Sequence, residues 1–233
     1  MPPAVQRSLV SDQVFRALCE DLLSGRYEPG EKLPTQRRLA ADLGVNMASI
    51  REAVKRLEQL RLIESRQGEG MRVRDWRAHG GLDVIAHVLF RASGLERGTL
   101  ADVMEARRTM LVAVGRLAAE RRTAAQARRM RELADRIAGA EDEESAQTLD
   151  FAFFSEMVEA AGNVVYALVM NSIRELYFQR AELFRALVAD HGELAPLYRR
   201  VAAAVEAGSA ARAGSGVEKL AAAQEQRVMG SVR

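Results

Sequence analysis

A chain of 233 residues with 48% hydrophobic content can fill one large core or two small ones, so wholesale disorder is excluded. Aromatics make up only 5% while Ala, Leu, Val, Arg and Glu recur, a composition that predicts a mainly α fold packed through aliphatic side chains. The formal charge of +2 names no partner, no apolar run reaches the roughly 20 residues of a membrane span, and no signal-peptide core opens the chain; a cytoplasmic protein is expected, with no membrane partner.

Helix-spaced Val14, Leu18 and Leu22 predict a first helix, with Ser11 as its cap and Gly25 near its end. Cys19 lies on this pattern and reads as a small core residue. Residues 27–34 carry two prolines and a glycine and read as a loop that ends at the cap Thr35. A second helix presents Leu39 and Leu43, and Gly44-Val45-Asn46 closes it and caps a third. That third helix puts Ile50, Val54, Leu57 and Leu60 in one stripe. Two helices joined by a tight glycine turn form a helix-turn-helix. The period then becomes strand-like at 62–65 and 71–73 around the tip Gln67-Gly68-Glu69-Gly70, which predicts a hairpin wing.

The segment 75–81 lacks a period and contains Gly80 and Gly81, so it is expected to link a DNA-binding domain, 1–74, to a second domain, 82–233. Trp76 is expected to pack on a domain face. From Leu82 onward the chain reads as helices over 82–92, 99–120, 123–139, 148–161, 163–186, 194–207 and 215–229. Thr123 with Gln126, and Ser215 with Glu218, suggest capping boxes. The acidic run 141–144 reads as a solvated connection, and 208–216 is locally simple in Gly, Ala and Ser. The architecture expected is therefore a winged helix-turn-helix followed by an all-α bundle of about seven helices.

The run LPTQRRLAADLGVNMASIREAVKRLEQLRLIESRQGEGMRV, about 40 contiguous residues, resembles the signature of the GntR family of bacterial regulators. A recognition helix offers its N-terminal half to the major groove, which here means Asn46, Met47, Ala48, Ser49 and Arg51. The resemblance adds Arg37, Gln67 and Gly68, the wing tip reaching the minor groove. Arg51 is the first choice for a bidentate guanine contact, against a surface salt bridge to Glu52 or Glu58. Arg37 and Arg38 suit phosphates, or in the case of Arg37 a base, and Lys55 suits phosphate. Many relatives carry arginine where this chain has Met47, so its operator is expected to differ from the best-known one.

The helical half, through Arg108 in DVMEARRTML and through LDFAFFSEMVEAAGNVVYALVMNSIRELY, resembles the effector domain of the FadR branch of that family. Many such domains hold a divalent metal through an Asp and three His. Asp150 matches the Asp, but Phe154 and Tyr198 stand at two of the histidine positions and the third falls near Gln224. His79, His87 and His191 lie elsewhere, so neither a metal nor a cofactor is expected. Phe151, Phe153, Phe154, Phe178 and Phe184 either line an apolar cavity or form core. Arg108, Asp150, Phe154 and Tyr198 are the candidate ligand residues. Arg108 is a candidate anchor for an acyl-CoA or another apolar acid, or else a salt bridge to Glu105 or Asp150.

The function implied is a ligand-responsive regulator, repressor or activator, that binds a pseudo-palindromic operator in double-stranded DNA as a homodimer. The alternative is a dimeric DNA-binding protein whose helical domain is purely structural. No catalytic triad order, His-rich metal set, phosphate-cradling loop or Cys/His pair is present, so no enzyme is expected.

Overall fold

The computed structural model describes residues 4–232 and divides into two compact units, one ending at Glu96 and the other beginning at Arg97. The division falls beyond the expected linker. Residues 75–81 are not an irregular tether, because Asp75 caps a helical turn and accepts a hydrogen bond from the Arg77 amide at 2.9 Å.

In the first unit, α1 (Ala4–Leu23), α2 (Gln36–Leu43) and α3 (Met47–Gln59) precede the hairpin β1 (Ile63–Arg66) and β2 (Gly70–Val73). Helix α1 starts earlier than expected, so Ser11 is a buried residue within it rather than its cap. The two strands are antiparallel, with Ile63 opposite Val73 and Arg66 opposite Gly70. Their inward residues Ile63, Met71 and Val73 join Phe15, Leu18 and Leu22 of α1 and Ile50, Val54 and Leu57 of α3 in one core. Ile50 and Leu57 are fully buried, and each such side chain contributes about 1.5–3 kcal/mol. Cys19 belongs to this core, where burial pushes its thiol up to about 12.

Helix α4 (Trp76–His79) follows, and Trp76 packs against the same core. The single helix expected over 82–92 is instead a 3-10 turn (Leu82–Val84), α5 (Ile85–Leu89) and a two-residue antiparallel pair, β3 (Phe90–Arg91) with β4 (Gly94–Leu95). Val84 and Val88 complete the first core.

The second unit is entirely helical: α6 (Arg97–Arg121), α7 (Ala124–Ala138), α8 (Glu143–Ala161), α9 (Val164–Gln179), α10 (Ala181–Arg185), a 3-10 turn (Ala186–Val188), α11 (His191–Glu206) and α12 (Ala210–Ser231). Helix α6 packs on α8 and α12, while α11 packs on α7 and α12. The expected capping box at Thr123 and Gln126 is formed. The one expected at Ser215 is not, because α12 already starts at Ala210 and runs through the simple segment. Small residues are useful there: a Cβ on Gly216 would stand 3.1 Å from Val201 and one on Gly115 would stand 2.8 Å from Val217, so both helix contacts need glycine or near-glycine spacing. Helix α8 likewise begins before 148, capped by Asp142, whose carboxylate accepts from the Ser145 amide at 2.7 Å.

Candidate nucleic-acid interface and effector site

The helix-turn-helix is set by two caps and one glycine. Thr35 accepts from the Arg38 amide at 3.2 Å and Asn46 from the Ser49 amide at 2.9 Å. Between them Gly44 takes φ +63°, a left-handed geometry that glycine adopts without the Cβ penalty.

Its cations fall into two groups. Arg56 pairs with Asp12 and lies 3.9 Å over the Phe15 ring, while Arg66 and Arg72 pair with Glu69 on the wing. Arg38 lies 2.9 Å from the Asp42 carboxylate, a surface pair that a phosphate can replace. Arg37, Arg51 and Lys55 are exposed and have no ion-pair or hydrogen-bond partner among the described residues; the Glu52 or Glu58 bridge considered for Arg51 is not made. Gln67 and Gly68 are exposed at the wing tip, Gly68 with φ +82°.

Not every expected reader is free to read. Ser49 is buried on the core side of α3, and Met47 is half-buried against the core. Asn46 is exposed but its side-chain oxygen is engaged as a cap. Ala48 is exposed and offers a methyl group.

In the helical unit the expected ligand residues converge only in part. Asp150 of α8 is buried, and its carboxylate accepts hydrogen bonds from Tyr198 Oη of α11 at 2.5 Å, Gln224 Nε2 of α12 at 2.7 Å and Tyr177 Oη of α9 at 2.8 Å. Gln224 Oε1 in turn accepts from Arg107 Nη2 of α6 at 2.9 Å, so one network joins five helices. The Arg107 guanidinium also lies 4.9 Å over the Phe154 ring. Burial, and then the Asp150 charge, push the Tyr177 and Tyr198 phenols well above their ordinary value; Arg107 opposes this. Both therefore act as donors.

Arg108 does not reach this network. It points to α12, 3.3 Å from Glu225 and 3.6 Å from Glu218, so neither Glu105 nor Asp150 is its partner. Sequence reading missed Arg107 and Tyr177. The signal for Arg107 was available: Leu100, Met104, Leu111, Val114 and Ala118 mark the buried stripe of α6, and 107 falls on that stripe while 108 is turned by one residue.

A transition-metal centre does not fit these residues. Zinc and nickel favour imidazole, thiolate and carboxylate, whereas Asp150 is surrounded by two phenols and a primary amide, and Phe154 has no donor. Among the described residues no group of three or more His, Cys, Asp or Glu is gathered. His87 stands edge-on to Phe15, and His191, at the start of α11 rather than in a loop, places Nε2 3.1 Å from the Ala140 carbonyl. The phenylalanines divide: Phe153, Phe154, Phe151 and Phe184 are core, and Phe178 is exposed.

A winged helix-turn-helix joined to an all-helical unit defines a class of DNA-binding regulators. Residues 10–73 match the bacterial regulatory proteins of the gntR family and residues 102–222 match the FCD domain. The chain belongs to the GntR family, in its FadR-like branch, and is a transcription regulator with an FCD effector-binding domain. It is 34% identical over 208 residues to the regulator Mce2R of Mycobacterium tuberculosis, covering 89% of this chain and 86% of that one. A fatty acid metabolism regulator protein of Erwinia tasmaniensis is 28% identical over 161 residues, 69% of this chain and 66% of its own. The solved structure of Lar, a Listeria monocytogenes protein, superposes with a TM-score of 0.56 at 14% identity, covering 96% and 97% of the two chains, a likeness of fold. Among the described residues no helix is long and apolar enough to cross a membrane.

Proposed function

We infer that the chain binds a pseudo-palindromic operator as a homodimer and releases or tightens it in response to an apolar acid, an acyl-CoA being the leading class. The observation that carries the DNA half is the sorting of cations on the helix-turn-helix: those that hold the fold are paired, while Arg37, Arg51 and Lys55 stand exposed beside the exposed methyl of Ala48. Arg51 is the base reader, Arg37, Arg38 and Lys55 meet phosphates, and Gln67 and Gly68 enter the minor groove. Ser49 acts through the fold of α3 rather than on a base.

Support for dimerisation comes from α9. Val164, Val165 and Leu168 are 71, 60 and 59% exposed on a helix that buries only Met170 and Tyr177. Beside them α6 and α9 frame a groove of about 580 Å³ that includes Ala106, Met110, Ala113 and Tyr166. A protruding apolar ridge beside a groove that also carries Asp102, Glu105 and Thr109 supports a two-fold interface between copies. Regulation of a two-fold operator needs those copies.

For the effector, the fatty acid metabolism regulator among the relatives supports an apolar acid, while Phe151, Phe154 and Tyr177 are packed as core. Arg107, not Arg108, is the cation placed beside that cluster, next to Asp150, Phe154 and Tyr198. A second reading, a purely structural helical unit, draws support from the fully engaged Asp150 carboxylate. Thermal shift with long-chain acyl-CoAs, free fatty acids and short carboxylates separates the two, since a ligand that prefers the folded state raises its stability. A gain with long chains that shifts operator affinity in either direction supports the effector reading; a response confined to short hydrophilic acids overturns the apolar ligand, and no response to any of them supports the structural one. No catalytic role is assigned.

A further inference from the structure

The geometry points to an anion site for a phosphorylated small molecule in the groove between α11 and α12. This goes beyond the effector reading, because its lining shares no residue with the Asp150 network. The groove holds about 340 Å³, at the small end of the ~300–1,000 Å³ typical of ligand pockets. Arg200 and Ala204 of α11 and Arg212, Ser215, Gly216 and Lys219 of α12 line it, Ala204 and Gly216 being buried.

The pairing of charge on the two helices singles this groove out. Their four carboxylates are all committed elsewhere: Glu193 to Arg227, Glu206 to Arg131, and Glu218 and Glu225 to Arg108. Of their five cations, Arg199 pairs with Asp135 and Arg227 with Glu193. The three that remain, Arg200, Arg212 and Lys219, have no partner among the described residues, and all three line the groove. No acid lines it. Positions 212, 215, 216 and 219 fall on one face of α12, so the charge is presented as a single surface rather than scattered. Like charges gathered around a concave surface repel one another until an anion sits between them.

The donor set favours phosphate over carboxylate. Two guanidinium forks, an ammonium and a hydroxyl can meet a diphosphate's several oxygens at once, whereas a single carboxylate satisfies one fork. Gly216 lets the helices approach closely beneath that position.

The test uses the full chain and inorganic pyrophosphate, with citrate as the carboxylate control, by titration calorimetry and thermal shift. Saturable binding of one pyrophosphate per chain is expected, weakened at least tenfold by Arg212→Ala with Lys219→Ala, and unchanged by Arg128→Ala on the exposed face of α7. The single variant Lys219→Gln, on an exposed side chain, gives the same direction if the double variant unfolds. Adenosine diphosphate in parallel distinguishes the source: tighter binding than pyrophosphate assigns the site to a nucleotide, equal binding to the diphosphate alone, and both support it. Absence of saturation, equal affinity for citrate, or undiminished binding by the variants overturns the site. So does loss of operator affinity in the double variant without any pyrophosphate binding, which would place the groove on DNA.

Discussion

Arg107 and Arg108 are neighbours in the chain yet differ in every contact that matters. One step along a helix turns a side chain by about 100°, enough to send Arg107 to Gln224 and Phe154 and Arg108 to Glu218 and Glu225. A buried carboxylate survives only when its oxygens are satisfied, and Asp150 meets that condition through three donors from three helices. Asp150→Ala should therefore strand those donors, at about 1–3 kcal/mol each, and lower Tm sharply, while Tyr198→Phe removes one donor and costs about 1–3 kcal/mol. Denaturant titration of both variants checks the order. The same network sets an alkaline limit. Tyr177 and Tyr198 have folded pKa values raised above the ordinary 10.0, so their contribution is complete below that pH and is lost as pH rises through the raised values. Stability should fall above about pH 10, and more shallowly when both are Phe; parallel curves would remove the tyrosines from the cause. At the other site, Arg51→Ala should weaken operator binding by about 1–3 kcal/mol and relax one base preference, read by selection on randomised DNA. Unchanged affinity would remove Arg51 from the interface.

Helix boundaries were legible where a cap, a glycine and an apolar stripe agree, as at Thr35, Gly44 and Asn46. They were illegible where a good cap is overruled by packing. Ser215 and Glu218 have the spacing of a capping box, but Gly214 and Gly216 are buried against neighbouring helices, so tertiary contact extends α12 back to Ala210. The 82–92 segment failed for a related reason: its apolar residues suit a helix, yet Gly94 with φ +115° turns the chain into a short hairpin. Of the DNA-facing candidates, chain order placed all of them on the right elements, but periodicity alone did not reveal that Ser49 faces the core. In the helical unit Asp150, Tyr198 and Gln224 were found through resemblance, and Tyr177 was hidden because the first half of α9 is apolar all round, so no single stripe marks its buried face. Gly44 offers a test at this scale. A Cβ there meets no atom within 4 Å, so Gly44→Ala should cost only the left-handed strain, about 1–2 kcal/mol, without a steric clash. A loss several times larger in a thermal melt would mean that the turn depends on more than its backbone geometry.

A single winged helix-turn-helix with Arg51 as its one proposed base reader would have little sequence information to offer, and a second copy on a pseudo-palindrome would double it without new residues. Such symmetry requires a face that can meet itself, and α9 is unusual in leaving Val164, Val165 and Leu168 in water while its groove with α6 stays open. In the proposed homodimer this apolar surface, gathered on one helix rather than scattered, is the interface. Two carboxylates introduced at its centre, Val165→Asp with Leu168→Asp, would lie opposite their own copies across a two-fold axis and be desolvated together. The dimer should weaken by roughly 2–4 kcal/mol, the scale of interface hot spots, while the exposed positions leave the fold intact. Sedimentation at micromolar concentration should then find monomers where the unaltered chain gives dimers. Affinity for the full operator should fall steeply, while that for an isolated half-site should hold. A variant that remains dimeric, or that loses half-site and full-site binding equally, would move the interface to another face of the helical unit.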